Sequence, residues 1–329
     1  MEQIKTKGEI TGKRILKSFL KENIGILVVL CLLVLILSFG TEVFATKDNI
    51  LSVLRQVFTN LCLAIGMTFV IIAGGIDLSG GAVVALSGIV SVALITQGGI
   101  PIPAAILAGL LLGLMIGALN GLIISTWKVP AFIVTMATMN IIRGAAQVYT
   151  GGTGIRIQSV KAFTNLGVGR LAGVPYQIYF SVILIVLFSV LLGKTKFGMY
   201  VYALGGNREA ARLSGIPLKK IEIIVYTISG FLAAMAGIIL AARMYSAQPS
   251  VGDGAEMDAI AACVLGGISM QGGVGRMSGT IIGVLVIGVI NNGLNLMNVN
   301  AFWQLIAKGA IILLAIYIDT IKARKRENN

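Results

Sequence analysis

The chain has 329 residues, 57% of them hydrophobic and 12% charged, with 42 glycines and six prolines, and its mean hydropathy is +0.94. A soluble chain carries about twice that charge, so lipid is its main solvent. The net charge of +13 does not point to nucleic acid, because most of the basic residues lie between apolar runs, where they orient a protein in a bilayer. The chain has no histidine, which removes imidazole bases and imidazole metal ligands together.

Apolar runs of helix length fall at 24–44, 50–73, 82–97, 103–124, 131–150, 178–192, 223–242, 257–268, 278–294 and 302–319. The runs at 82–97 and 257–268 are shorter than the roughly 20 residues of a straight crossing, so broken, tilted or half-crossing helices are expected. This is the pattern of an all-α polytopic membrane protein with about ten transmembrane helices. Eighteen of the 26 lysines and arginines fall on the amino-terminal side of the bilayer and five (Lys47, Arg156, Lys161, Arg170, Arg243) on the other. That asymmetry places both termini in the cytoplasm. The leading run is too long for a cleaved signal. The expected organisation is a basic tail at 1–23, one transmembrane domain at 24–319 with an inner loop at 193–222, and a second basic tail at 320–329. Cys31, Cys62 and Cys263 all sit in apolar runs and read as packing residues.

In chain order, the first feature with chemistry is GGIDLSGG at 74–81, comprising Gly74, Gly75, Asp77, Ser79, Gly80 and Gly81. Paired glycines at a helix end allow a sharp turn or a close backbone approach. Asp77 either caps the helix that starts near Ser79 or carries a working charge that pairs with a group such as Arg143. Gly109, Gly113, Gly117 and Gly121 form a small-residue seam on one helix, and Ala233, Gly237 and Ala241 form one on another. Such seams set helix packing. Arg143 and Lys308, inside spans, either line a path or reach an interface by their long stems.

The inner loop contains ALGGNREAARLSGIPLKK at 203–220. It reads as a short surface helix: Asn207 caps it, Glu209 suits its positive end, and Gly215 followed by Pro217 stops it. Arg208, Ala210, Ala211, Arg212, Leu213 and Ser214 complete it, with Ala210, Ala211 and Leu213 as an apolar docking face. Glu256 and Asp258 open a helix after a glycine-rich outer loop. GGISMQGG at 266–273 repeats the glycine pattern with Gly266, Gly267, Ser269, Gly272 and Gly273. Both glycine stretches are expected to act as joints near a translocation path. Enzyme signatures are missing: Gly193-Lys194-Thr195 has Phe188 where a phosphate loop needs glycine, and GGVGRMSG at 272–279 is one residue too long for a dinucleotide fingerprint.

These motifs, with VPAFIVTMATMNIIRG at 129–144, SAQP at 246–249, DAIAACVLGGISMQGGVGRMSGT at 258–280 and NNGLNL at 291–296, resemble the permease subunits of ABC importers for ribose, xylose, arabinose and galactose. The resemblance runs from about Asn49 to Asp319. It implies a type II-like importer permease that pairs with a second copy or a close paralogue, in a bacterial cytoplasmic membrane. It implies an ATPase subunit that holds ATP and Mg, an extracytoplasmic sugar-binding protein, and no cofactor on this chain. Residues 207–215 become the ATPase-coupling element, and Asn291 and Asn292 join the glycine joints as candidate path residues. Two rivals are a branched-chain amino acid permease of the same superfamily and an ion-coupled carrier, which needs carboxylates deep in the bilayer.

Overall fold

The computed structural model describes residues 23–300, 302–311, 313, 314 and 317. The two basic tails, Asn23 excepted, lie outside the described residues. Aliphatic runs in lipid satisfy their backbone only as helices, and the described chain is built from them. These are α1 (Asn23–Gly40), α2 (Lys47–Ile72), α3 (Gly80–Thr96), α4 (Ile102–Trp127), α5 (Ala131–Thr150), α6 (Lys161–Val168), α7 (Tyr176–Lys194), α8 (Lys196–Gly206), α9 (Arg208–Leu213), α10 (Leu218–Met244), α11 (Ala255–Leu265) and α12 (Met277–Leu296). Another helix begins at 302. Pro101, Pro130, Pro175 and Pro217 occupy the N-cap positions of α4, α5, α7 and α10. Proline has no N–H to strand there and its fixed φ leads into the helix.

Among the described residues seven helices are long and apolar enough to cross a membrane, and α3 is a shorter apolar helix of 17 residues. Among the described residues every apolar run contains a helix. The run at 257–268 contains only the 11-residue α11, about 16 Å long, which crosses half a bilayer.

α2 and α10 form the centre, each with 61% of its spanning window buried, against 11% for α1 at the periphery. The glycine seam of α4 lies against α10. A Cβ at Gly113 would meet the Gly230 carbonyl, one at Gly117 the Tyr226 carbonyl, and one at Gly121 the Ile223 backbone. The small-residue row of α10 faces elsewhere: a Cβ at Gly237 would meet the Val84 carbonyl of α3. The two seams therefore serve different neighbours, and α10 is gripped on both sides by close backbone approach.

One end of the bundle carries both glycine stretches, α8 and α9. The opposite end carries α6 and two short antiparallel ladders. There β1 (Ile155–Arg156) pairs with β4 (Ser246–Ala247), Ile155 opposite Ala247, and β2 (Arg170–Leu171) pairs with β3 (Val174–Pro175).

Candidate functional site

Each glycine stretch begins as a helix stop of the same kind. At the end of α2, Gly75 N–H donates to the Val70 carbonyl and Gly74 N–H to Ile71, both at 2.9 Å. At the end of α11, Ile268 N–H donates to Cys263 at 3.0 Å and Gly267 N–H to Val264 at 2.9 Å. The residue after each cap is left-handed, Gly74 with φ +87° and Gly267 with φ +84°, the conformation that glycine adopts without cost. The alignment of the two stretches is thus offset by one: the first glycine of the first pair does the work of the second glycine of the other.

The two stretches also touch. Gly273 N–H donates to the Ile72 carbonyl, 2.8 Å away, and Gly272 (φ +85°) and Gly273 (φ +69°) are themselves left-handed. Gly205, in the last turn of α8, seals the contact. A Cβ there would strike the Ile72 carbonyl and the Gly273 nitrogen, and one at Gly272 would meet the Gly205 carbonyl and Gly74. Three segments far apart in sequence therefore meet backbone to backbone, three residues before α9 starts. Ser269 supports the second turn, its N–H donating to the Val274 carbonyl at 3.0 Å. Gly266 allows the same closeness to α12, facing the backbone of Gly279.

Between Gly75 and Ser79 the chain carries Asp77, only 1% exposed. Its Oδ1 accepts from the Ser79 N–H (3.0 Å) and the Ser79 hydroxyl (2.6 Å), and its Oδ2 accepts from the Ser229 hydroxyl of α10 (2.7 Å). Asn120 of α4 donates to Ser79 Oγ at 3.0 Å, and Thr138 of α5 donates to Asn120 Oδ1 at 2.7 Å. The donors all run toward the carboxylate, so each bond polarises the next. Asp77 thereby ties the broken segment to α4, α5 and α10, and its bond to the Ser79 N–H lies beside the start of α3. Gly80 and Gly81 open α3. A Cβ at Gly81 would meet the Gly252 carbonyl and Glu256 Oε2.

α9 is short and fully specified. Asn207 Oδ1 accepts from the Ala210 N–H at 2.9 Å, Glu209 pairs with Arg212 at 2.9 Å, and Gly215 (φ +76°) ends it with Ile216 N–H donating to Ala211. Ser214 hydroxyl donates to the Ala210 carbonyl. Ala211 is buried and Leu213 is 79% exposed, so the apolar residues split: Ala211 seats α9 on the bundle, and Leu213 with Ala210 faces outward. Arg208 forks onto Glu222 at the start of α10. The hydrogen bond to Glu222 holds the Arg208 guanidinium above its ordinary pKa, against the opposing pull of burial. Beside this pair a cavity of about 290 Å³ runs to the first glycine turn, lined by Gly74, Gly75, Lys128, Glu222 and Tyr226. A side chain at Gly75 would collide with the Tyr226 hydroxyl.

The family described as "Branched-chain amino acid transport system / permease component" matches residues 49–316. The chain belongs to this family. It is a transport component and not an enzyme. A ribose import permease of Bacillus subtilis is 46% identical over 323 residues, covering 98% of this chain and 99% of that protein. The ribose import permease of Escherichia coli K12 is 42% identical over 319 residues, 95% and 98% of the two chains. An L-arabinose transport system permease protein of the same strain is 37% identical over 305 residues, 93% and 92%. No solved structure matches the chain.

In this permease the remaining candidates lie apart from the joint. Asn292 is buried against α2, where it and Asn49 exchange amide bonds, Asn49 Nδ2 to Asn292 Oδ1 at 3.1 Å and Asn292 Nδ2 to Asn49 Oδ1 at 3.0 Å. Asn291 donates to Asp258 at 3.4 Å, and Lys308 pairs with the same carboxylate oxygen at 2.9 Å. Arg143 does not meet Asp77: its Nη1 donates to the carbonyls of Pro249 and Val251, each at 2.7 Å. Asn120, Ser229, Tyr226 and Glu222 belong to the site and were not singled out in the sequence. Asn120 carried a usable signal as the only amide in the apolar run 103–124. The others have partners set only by the fold.

Proposed function

We propose that this permease is the membrane subunit of an ATP-driven importer for ribose or a similar monosaccharide, forming the path together with a second copy or close paralogue. The observation that carries the reading is the match, from end to end of both chains, to proteins named ribose import permeases. In general a permease component of this kind works with a separate ATPase and a substrate-binding protein. ATP and Mg then belong to the ATPase, and the sugar-binding protein works on the far side of a bacterial cytoplasmic membrane whose inner face holds both termini and α9.

The geometry supports a coupling role for α9. Force applied to α9 passes three residues back to Gly205, and from there through backbone contact to the end of α2 and the turn after α11. A path of this sort needs only weak sugar contacts and alternate opening.

The test is uptake by vesicles containing the complex of permease and ATPase, with a sugar-binding protein outside. Ribose accumulation that requires ATP is expected. Accumulation by the permease alone under a proton or sodium gradient would overturn the reading. The family's printed description favours a second reading, amino acid import, and leucine uptake in place of ribose would establish it.

A further inference from the structure

α5 presents two exposed stripes of opposite character. Ile141 and Val148, seven residues apart and exposed by 71% and 85%, form an apolar stripe. Met136, Asn140, Arg143 and Gln147 recur at four, three and four residues, within about 60° of one another around the helix, and three of the four are polar. Asn140 and Gln147 are exposed. The stripe is central as well as polar: α5 is a 20-residue spanning helix, about 30 Å long, and Asn140 and Arg143 lie about 14 and 18 Å along it. Amide and guanidinium groups at that depth are costly against lipid tails and belong on water or protein.

The backbone next to this stripe is irregular. After β4 the chain turns back into the bundle, where Arg143 holds the carbonyls of Pro249 and Val251, and Gly252 and Gly254 are both left-handed, each with φ +74°. Asp253 of this turn is exposed. Glu256, at the start of α11, is 6% exposed and its Oε2 has no hydrogen-bond partner. Non-helical backbone at this depth is tolerated where it lines a water-filled space, and the half-helix that follows gives it a positive end.

We infer that Asn140, Arg143, Gln147 and Asp253 form the polar lining of the sugar path, facing the second copy of the chain, while the Ile141–Val148 stripe faces lipid. The inference rests on the functional reading above and adds the residues that contact the sugar. The amides and guanidinium along α5, with the Asp253 carboxylate in the turn that Arg143 holds, suit a neutral polyol, whose hydroxyls donate and accept in turn and can pass from one group to the next.

The experiment uses the whole transporter in vesicles, with Asn140→Cys, Gln147→Cys and, on the apolar stripe, Ile141→Cys, the wild type giving the background of its own cysteines. A charged methanethiosulfonate reacts only with thiolate in water. Asn140→Cys and Gln147→Cys are expected to label at least about ten-fold faster than Ile141→Cys, with labelling blocking uptake and slowed by ribose plus binding protein. Labelling as slow as at Ile141→Cys in a transporter that still imports sugar overturns the inference. So does fast labelling that leaves uptake unchanged. If the wild-type complex shows no ATP-driven uptake, the functional reading fails instead, and the contrast in labelling rates still decides which stripe meets water.

Discussion

Gly273 gives its N–H to the carbonyl of Ile72, and so the turn after α11 is pinned to the end of α2. Gly205 lies over this bond with no room for a Cβ. The three backbones can separate or move as one, and no side chain cushions the contact. That is how a short surface helix three residues further on lies within reach of both α2 and α11.

The first prediction contrasts adjacent glycines. A methyl at Gly205 meets backbone on both sides, whereas Gly206 has nothing within 4 Å of a built Cβ. Gly205→Ala is expected to reduce ATP-driven uptake by ten-fold or more, about 1.4 kcal/mol or more in the coupled step, and Gly206→Ala to leave it near wild type. Vesicle uptake at matched membrane abundance checks this, and equal tolerance of the two changes would show that the joint can open without loss.

Asp77 gives a graded expectation. Alanine leaves three donors without their acceptor, at a cost of about 2 to 4 kcal/mol. Asparagine keeps Oδ1 for both Ser79 bonds, and the Ser229 hydroxyl needs only to turn and accept, so the loss is about 1 kcal/mol. With Arg143 occupied at Pro249 and Val251, Asp77 acts as a knot of hydrogen bonds, and Asp77→Asn is expected to keep most uptake. Thermal stability in detergent and uptake together decide the matter; an asparagine variant as impaired as alanine would restore a working charge at this position.

Much of this was legible because the signals were local. Spans follow from aliphatic runs, whereas the N-cap places of Pro101, Pro130, Pro175 and Pro217 emerge from the structure, which starts α10 at Leu218, before the run at 223. α9 follows from Asn207 and Gly215, whose cap and stop bonds reach only three to five residues. The segment after Ala247 reads in the sequence as an outer loop because it is rich in glycine and polar residues. The structure folds it back into the bundle, and the cause is Arg143, 106 residues before Pro249. Likewise Asn292 reads as a path residue until Asn49, 243 residues away, is seen to satisfy it. Polarity in a span marks a residue with a partner or with water, and only the fold tells which.

For α9 the prediction separates seating from docking. Ala211→Pro removes the N–H that Asn207 accepts at 2.9 Å and costs about 3 kcal/mol of helix, so complex formation and uptake are both expected to fail. Leu213→Asp touches a side chain exposed at the bundle surface. It is expected to leave the isolated permease folded with an unchanged melting temperature and to weaken ATPase binding by about ten-fold or more, roughly 1.4 kcal/mol. Pull-down of the ATPase with each variant is the measurement. Full binding by Leu213→Asp would place the docking surface elsewhere.

The last prediction concerns the strut between α9 and α10. Glu222 is 7% exposed, and both its oxygens are taken by Arg208. Arg208→Gln leaves that carboxylate without its fork at the mouth of the 290 Å³ cavity. A fully buried pair broken on one side costs about 3 to 5 kcal/mol, but the Arg208 side chain is 46% exposed, and solvent screening brings the expected loss to about 2 kcal/mol. Removing the charge as well, in Arg208→Gln with Glu222→Gln, relieves the orphaned carboxylate and is expected to recover at least half of that loss. The pair also fixes how α9 sits on α10, so the double variant should melt close to wild type and yet couple poorly, hydrolysing ATP with little sugar moved. Stability and coupling that recover together in the double variant would mean that the charge and geometry of the ion pair carry no force between the helices.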